Sequence, residues 1–183
     1  LLIALEGPDG CGKTTQIELL KDRLEKEGFE VIVTREPGGT KISEKIREIL
    51  LDNDNNEMGS CCEALLYAAS RAQLVEEVIK PALAEGKVVV CERFIDSSLA
   101  YQGYGRQIGF DEVLSINKFA IGDTFPDITI YLDVNEEVGL SRIKNRKFKD
   151  RLDVESIEFH HRVNEGYAKV VETFKDRIRV VDA

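Results

Sequence analysis

Gly7-Pro8-Asp9-Gly10-Cys11-Gly12-Lys13-Thr14 fits G-x-x-x-x-G-K-[ST] at every fixed position, and its two flanks decide the fold. An apolar run, Leu1-Leu2-Ile3-Ala4-Leu5, leads into it. Ile17, Leu20 and Leu24 follow on one helix face that stops at Gly28. A strand that turns into a helix through such a loop is a phosphate cradle. Its glycines let successive N–H groups point inward, and the helix N-terminus adds partial positive charge. In this arrangement Lys13 reaches the β- and γ-phosphates of a nucleoside triphosphate, and the Thr14 hydroxyl sits on Mg²⁺.

Four more runs rich in Val and Ile lie downstream: Val31 to Thr34, Val88 to Cys91, Ile128 to Asp133 and Ile178 to Asp182. They are mostly continuous rather than alternating, as in strands covered on both faces of a parallel sheet. Helical patterns separate them: Ile42, Ile46, Ile49 and Leu50; Leu65 to Ile79 with Pro81 near its end; Val113 to Ala120; and Phe159 to Phe174. The alternation predicts an α/β domain with a five-stranded parallel sheet flanked by helices. No repeat, linker or low-complexity segment interrupts residues 1–183, so one domain is expected.

The chain has 183 residues, 43% of them hydrophobic, enough for a core without disulfides or a structural metal. No uninterrupted apolar stretch is long enough to span a membrane. The net charge of −9 argues against nucleic acid as the main partner. Cys11, Cys61, Cys62 and Cys91 form no Cys-x-x-Cys pair, and this sparse usage fits a reducing, cytoplasmic setting. The adjacent Cys61 and Cys62 are expected to be packing residues. Met58 is the only methionine, so trimming at the N-terminus is expected, and a disordered or deleted tail after Val180-Val181-Asp182-Ala183.

Other loop-bearing classes fit less well. Asn117-Lys118-Phe119-Ala120 lacks the Asp that reads guanine, and it falls inside a helix. The strand Val88-Val89-Val90-Cys91 ends in Glu92-Arg93 rather than Asp-Glu. A carboxylate followed by arginine suits a kinase, the acid orienting metal-bound water and the arginine holding an anionic acceptor.

Thr34-Arg35-Glu36-Pro37-Gly38-Gly39-Thr40, Leu65 to Gln73, Glu92 to Gly103 and the lid-like stretch Arg142 to Glu155 together resemble the thymidylate kinases. The resemblance covers nearly the whole chain. It implies transfer of the γ-phosphoryl group of ATP to dTMP. The acceptor is an ionised phosphate oxygen, so the site needs alignment and charge cancellation rather than a strong base. It further implies that residues 7–15, Thr15 included, bind ATP together with Arg142 and Arg146. Arg93 would grip the dTMP phosphate, with Arg35 and Pro37 lining the same pocket. Tyr67 would stack on thymine. Arg71, four residues later on the same helix face, can donate to the thymine O4, where cytosine offers a donor instead. Ser97, Ser98 and Gln102 match positions bordering the nucleotide. Tyr101 would crowd the sugar 2′ position. Asp9 would contact the 3′-hydroxyl and, with Thr14 and Glu92, help hold the metal.

The resemblance also implies a lid near residues 142–153 and a homodimer. The phosphate loop has no arginine, so the lid is expected to supply the cation for the transferring group, Arg151 first and Arg146 second. One departure stands out: Glu92 replaces the family's usual Asp. That keeps open a deoxynucleoside kinase acting on thymidine. A noncatalytic ATP-binding module is the alternative of another class. Glu36-Pro37 is a candidate cis bond shaping the acceptor loop.

Overall fold

The computed structural model describes residues 1–135, 138–139, 141–142 and 149–183. Arg146, together with Lys144 and Lys147, lies outside the described residues. Five strands, β1 (Leu2–Glu6), β2 (Val31–Arg35), β3 (Val88–Glu92), β4 (Ile128–Asp133) and β5 (Ile178–Asp182), form one parallel sheet in the order β2-β3-β1-β4-β5. All five apolar runs are strands. The first is shifted by one residue, because Glu6 completes β1 although its charge ended the apolar run.

Among the described residues the α-helices with assigned bounds are α1 (Lys13–Lys26), α2 (Lys41–Leu51), α3 (Ser60–Leu74), α4 (Lys80–Ala84), α5 (Ile95–Ser98), α6 (Phe110–Ile121) and α7 (Ile157–Thr173). A wide helical stretch, Val75–Ile79, carries α3 directly into α4, and Pro81 follows it in the first turn of α4. A second such stretch, Leu99–Gly105, extends α5. This segment packs closely on α7: a Cβ on Gly166 would lie 2.8 Å from the Ala100 Cα, so only glycine fits there.

Register gathers the chemistry at one edge. Leu5 pairs with Glu92, and Arg35 also pairs with Glu92. The carboxyl ends of β1, β2 and β3 therefore open side by side, where ligands bind in open α/β sheets. Most of the described core lies in one cluster that runs from Leu2 through Phe94 and Tyr101 to Tyr167. The expectation for Cys61 and Cys62 fails. Both are exposed free thiols, because they open α3 on its outer side.

Candidate functional site

The phosphate loop leaves β1 through Gly7, at φ 139°. A side chain there would run into the Leu132 carbonyl at 2.6 Å, so the sharp exit from the sheet requires glycine. Lys13, the first residue of α1, is buried, and its Nζ donates to the carbonyls of Gly7 (3.1 Å) and Pro8 (3.0 Å). Burial, then the Arg93 charge, pull its pKa below that of a free lysine. The Thr14 hydroxyl lies 3.2 Å from both carboxylate oxygens of Glu92. Thr15 follows, exposed on the first turn of α1. Arg142 Nη1 donates to the Gly10 carbonyl at 2.8 Å, so it stands against the loop.

Arg93 sits directly after β3 in the left-handed region, at φ 66°, a conformation that a bulky residue rarely adopts. Its guanidinium is held from several sides. Nη1 donates to the Gly7 carbonyl (3.2 Å), Ser97 Oγ (3.0 Å) and Tyr167 Oη (3.0 Å). Nη2 donates to Asp9 Oδ1 (2.9 Å) and Tyr101 Oη (3.3 Å). The Tyr101 hydroxyl in turn donates to Asp9 Oδ2 at 2.7 Å. Asp9 is thus engaged with Arg93 and Tyr101. Among the metal candidates, Thr14 and Glu92 are the pair whose oxygens the structure brings together.

Beneath this lies a carboxylate that the sequence reading missed. Glu6, at the end of β1, is fully buried. It accepts from the Phe94 N–H (2.7 Å), the Ser97 N–H (3.1 Å), Ser97 Oγ (2.5 Å) and Tyr167 Oη (3.0 Å). It pins the start of α5 and the two hydroxyls that receive Arg93. Burial, reinforced by the nearby Asp96 charge, raises its pKa.

A cavity of about 350 Å³ opens beside Arg93. Tyr67, Arg71, Ser97, Ser98, Tyr101 and Gln102 line it, joined by Arg35 at the end of β2 and Pro37 beyond it. Arg35 is held by a two-pronged ion pair to Glu44, 3.0 Å on each prong. The Glu36–Pro37 bond is cis, and the Pro37 carbonyl accepts from Arg47 at 2.7 Å. Arg71 is buried and every one of its N–H groups has an acceptor. Nε reaches Glu36 (2.7 Å), Nη1 reaches Ser98 Oγ (2.9 Å) and Asn117, and Nη2 reaches the Phe94 carbonyl (3.0 Å) and Glu36. Burial pushes the Glu36 carboxyl up to about 7, against the pull of the Arg71 charge, and its Oε1 is buried with no partner among the described residues.

Arg47, Glu36 and Asp150 also line this cavity and were not picked out from the sequence. Arg47 was hidden because the sequence reading followed Ile42, Ile46 and Ile49, whereas α2 buries Ser43 and Leu50, four and three positions from Arg47 on the same face. For Glu36 the available signal was its position between Arg35 and Pro37, both candidate site residues.

Arg151 does not stand where the lid reading put it. It is buried and absent from the cavity lining. Nε donates to the Leu50 carbonyl (3.0 Å), Nη2 to Glu63 Oε2 (2.5 Å), and its N–H to the Leu51 carbonyl (3.3 Å). The cause is physical: α2 ends at Leu51 with carbonyls that have no partner in the helix, and the 149–152 segment docks there as a cap.

Comparison with known proteins follows this geometry closely. Residues 5–183 match the family model described as thymidylate kinase. A protein of Bacillus velezensis named thymidylate kinase is 54% identical, over 100% of this chain and 87% of its own length. One from Clostridium novyi, of the same name, is 53% identical over 99% of this chain and 89% of its own length. The crystal structure of thymidylate kinase from Ehrlichia chaffeensis superposes with a TM-score of 0.82 at 35% identity, covering 100% of this chain and 90% of that one.

Proposed function

The chain belongs to the thymidylate kinase family, and from its geometry we infer how it transfers the γ-phosphoryl group of ATP to dTMP, giving dTDP and ADP. One observation carries the reading. Lys13 Nζ and Arg93 Nη1 both donate to the Gly7 carbonyl, at 3.1 and 3.2 Å, so the two cations are no farther apart than those distances together. A donor-phosphate cation and an acceptor-phosphate cation therefore share one cleft. That is what in-line transfer between two phosphates needs.

In this reading the glycine loop and Lys13 hold the triphosphate. Arg93 exchanges the Nη1 contacts to Gly7, Ser97 and Tyr167 for the dTMP phosphate, while Asp9 and Tyr101 keep hold of Nη2. The acceptor oxygen is already ionised, so no residue has to remove a proton. Thr14 and Glu92 present hard oxygen donors of the kind Mg²⁺ prefers. The two residues would hold Mg²⁺, and its charge would offset that of the triphosphate. The extra methylene of Glu92 over Asp is taken up in reaching Thr14. Arg142, already on the Gly10 carbonyl, is the described lid-side cation best placed for the transferring group.

On the acceptor side Tyr67 offers its ring to the base. Of the Arg71 donors, the N–H held by Ser98 is the one a base carbonyl can share, because Ser98 lines the cavity and Asn117 does not. Gln102 borders the same edge, and Tyr101 crowds the sugar. Phe119 on α6 is 95% exposed and Leu65 on α3 is 56% exposed. These apolar faces on neighbouring helices support a homodimer. Among the described residues no helix is long and apolar enough to cross a membrane, and a cytoplasmic enzyme with no nucleic-acid partner fits the acidic charge.

The test is ADP release with dTMP, dUMP, dCMP and thymidine as acceptors. Rapid release with dTMP and almost none with thymidine is expected. Thymidine turned over as fast as dTMP would reject the assignment of Arg93 to an acceptor phosphate.

A further inference from the structure

We propose that Glu63 is a specificity-determining positioning residue, which fixes the Gln102 amide so that its carbonyl oxygen faces the acceptor base. The proposal rests on the reading above that Gln102 borders the base.

Glu63 lies on α3 and is fully buried. Its Oε1 accepts from Gln102 Nε2 (2.9 Å) and Arg106 Nε (3.1 Å), and its Oε2 from Arg106 Nε (3.1 Å) and Arg151 Nη2 (2.5 Å). Burial alone would raise its pKa. Hydrogen bonds from Arg106, then Gln102, outweigh that, so the group sits below its ordinary value. It is therefore a carboxylate, and a carboxylate only accepts.

An acceptor-only partner leaves the amide one orientation. The nitrogen of Gln102 must face Glu63, so the oxygen faces the other way. Gln102 lines the cavity, and among the described residues nothing donates to its Oε1. The cavity then offers a donor from Arg71 and an acceptor from Gln102. A pyrimidine with an O4 acceptor and an N3–H donor satisfies both. Cytosine reverses both, with an N4 amino donor and a bare N3 acceptor. If the amide could turn, Nε2 would serve the cytosine N3, and half of the discrimination would be lost. A site that leaves a buried polar group unpaired with the wrong ligand is the kind that discriminates strongly.

The experiment measures kcat/KM for dTMP and for dCMP in the parent, Glu63→Gln, Gln102→Met and the double variant. Glu63→Gln is expected to lower the dTMP-to-dCMP ratio at least tenfold. Gln102→Met should lower it similarly, and Glu63→Gln should then add nothing. A ratio unchanged by Glu63→Gln but lowered by Gln102→Met overturns the proposal and leaves the reading of Gln102 standing. A ratio unchanged by Gln102→Met removes that reading and the proposal with it. An equal further drop in the double variant overturns the proposal, because Glu63 would be acting by another route. For the case in which Glu63→Gln does not fold, the parent protein gives an independent readout. The side-chain amide protons of ¹⁵N-labelled Gln102, assigned by their loss in Gln102→Met, should exchange slowly with and without dTMP. Exchange at the rate of an exposed glutamine overturns the proposal.

Discussion

Replacing Arg93 separates its charge, its shape and its backbone. The guanidinium has five donor contacts, two of them on Nη2, whose partners Asp9 and Tyr101 hold the fork in one plane. If that fork takes the dTMP phosphate through two charge-assisted hydrogen bonds, each is worth about 1.5–3 kcal/mol. Arg93→Ala should then lower kcat/KM for dTMP by roughly 10² to 10⁴. Arg93→Lys keeps a point charge and loses the second prong, so roughly 10- to 100-fold is expected. The backbone adds an internal control. At φ 66° a side-chain-bearing residue stores about 1–2 kcal/mol that glycine does not. Arg93→Gly should therefore be more stable than Arg93→Ala by about 1 kcal/mol, or roughly 2–4 °C in Tm, the reverse of the usual order within helices. ADP release at saturating ATP gives the kinetics, and thermal unfolding gives the stability. If Arg93→Lys and Arg93→Ala both stay within threefold of the parent in kcat/KM for dTMP, Arg93 does not hold the acceptor.

Three further outcomes follow from the same geometry. Glu36 has its pKa raised from 4.5 to about 7 by burial, so the folded protein favours its protonated form. Its contribution to stability is fully present below about 4.5 and is lost as pH rises through about 7, with an upper bound of about 3 kcal/mol. Chemical denaturation between pH 5 and 8 should show this loss in the parent and not in Glu36→Gln; parallel curves would remove the argument. Glu92→Gln should raise the Mg²⁺ concentration needed for half-maximal turnover at least tenfold, with recovery in excess Mg²⁺, because Glu92 and Thr14 supply neighbouring oxygens; an unchanged Mg²⁺ requirement would place the metal elsewhere. Arg151→Ala withdraws one cation from buried Glu63 and uncaps α2, so a loss of about 2–3 kcal/mol, roughly 5–10 °C in Tm, is expected. A hundredfold loss of turnover with an unshifted Tm would restore Arg151 to the transferring phosphoryl group.

What could be read from the sequence, and what could not, divides along chain distance. The phosphate loop was legible because its strand, turn and helix are contiguous, and because glycine at positive φ has a local cause. Arg93, Tyr67 and Arg71, which line the cavity, could be named because each lies in a stretch that resembles the thymidylate kinases. Glu6 was not. Its partners Ser97 and Tyr167 lie 91 and 161 residues away, and an acid ending an apolar run reads as the point where burial stops. Register reverses that: Glu6 pairs with Tyr131 inside the sheet, under α5 and α7. The docked position of Arg151 was out of reach for a related reason. Counting basic residues between 142 and 151 says that a cation is available, not which acceptors compete for it. The carbonyls of Ile49, Leu50 and Leu51 at the end of α2 are such acceptors, and they take Asn55 Nδ2 at 2.9 Å, Arg151 Nε at 3.0 Å and the Arg151 N–H at 3.3 Å. A helix end without glycine or a basic last turn calls for donors from elsewhere. That demand was written in residues 41–52, a hundred positions before the arginine that meets it. Assigning a lid cation thus requires first asking which helix ends compete for it.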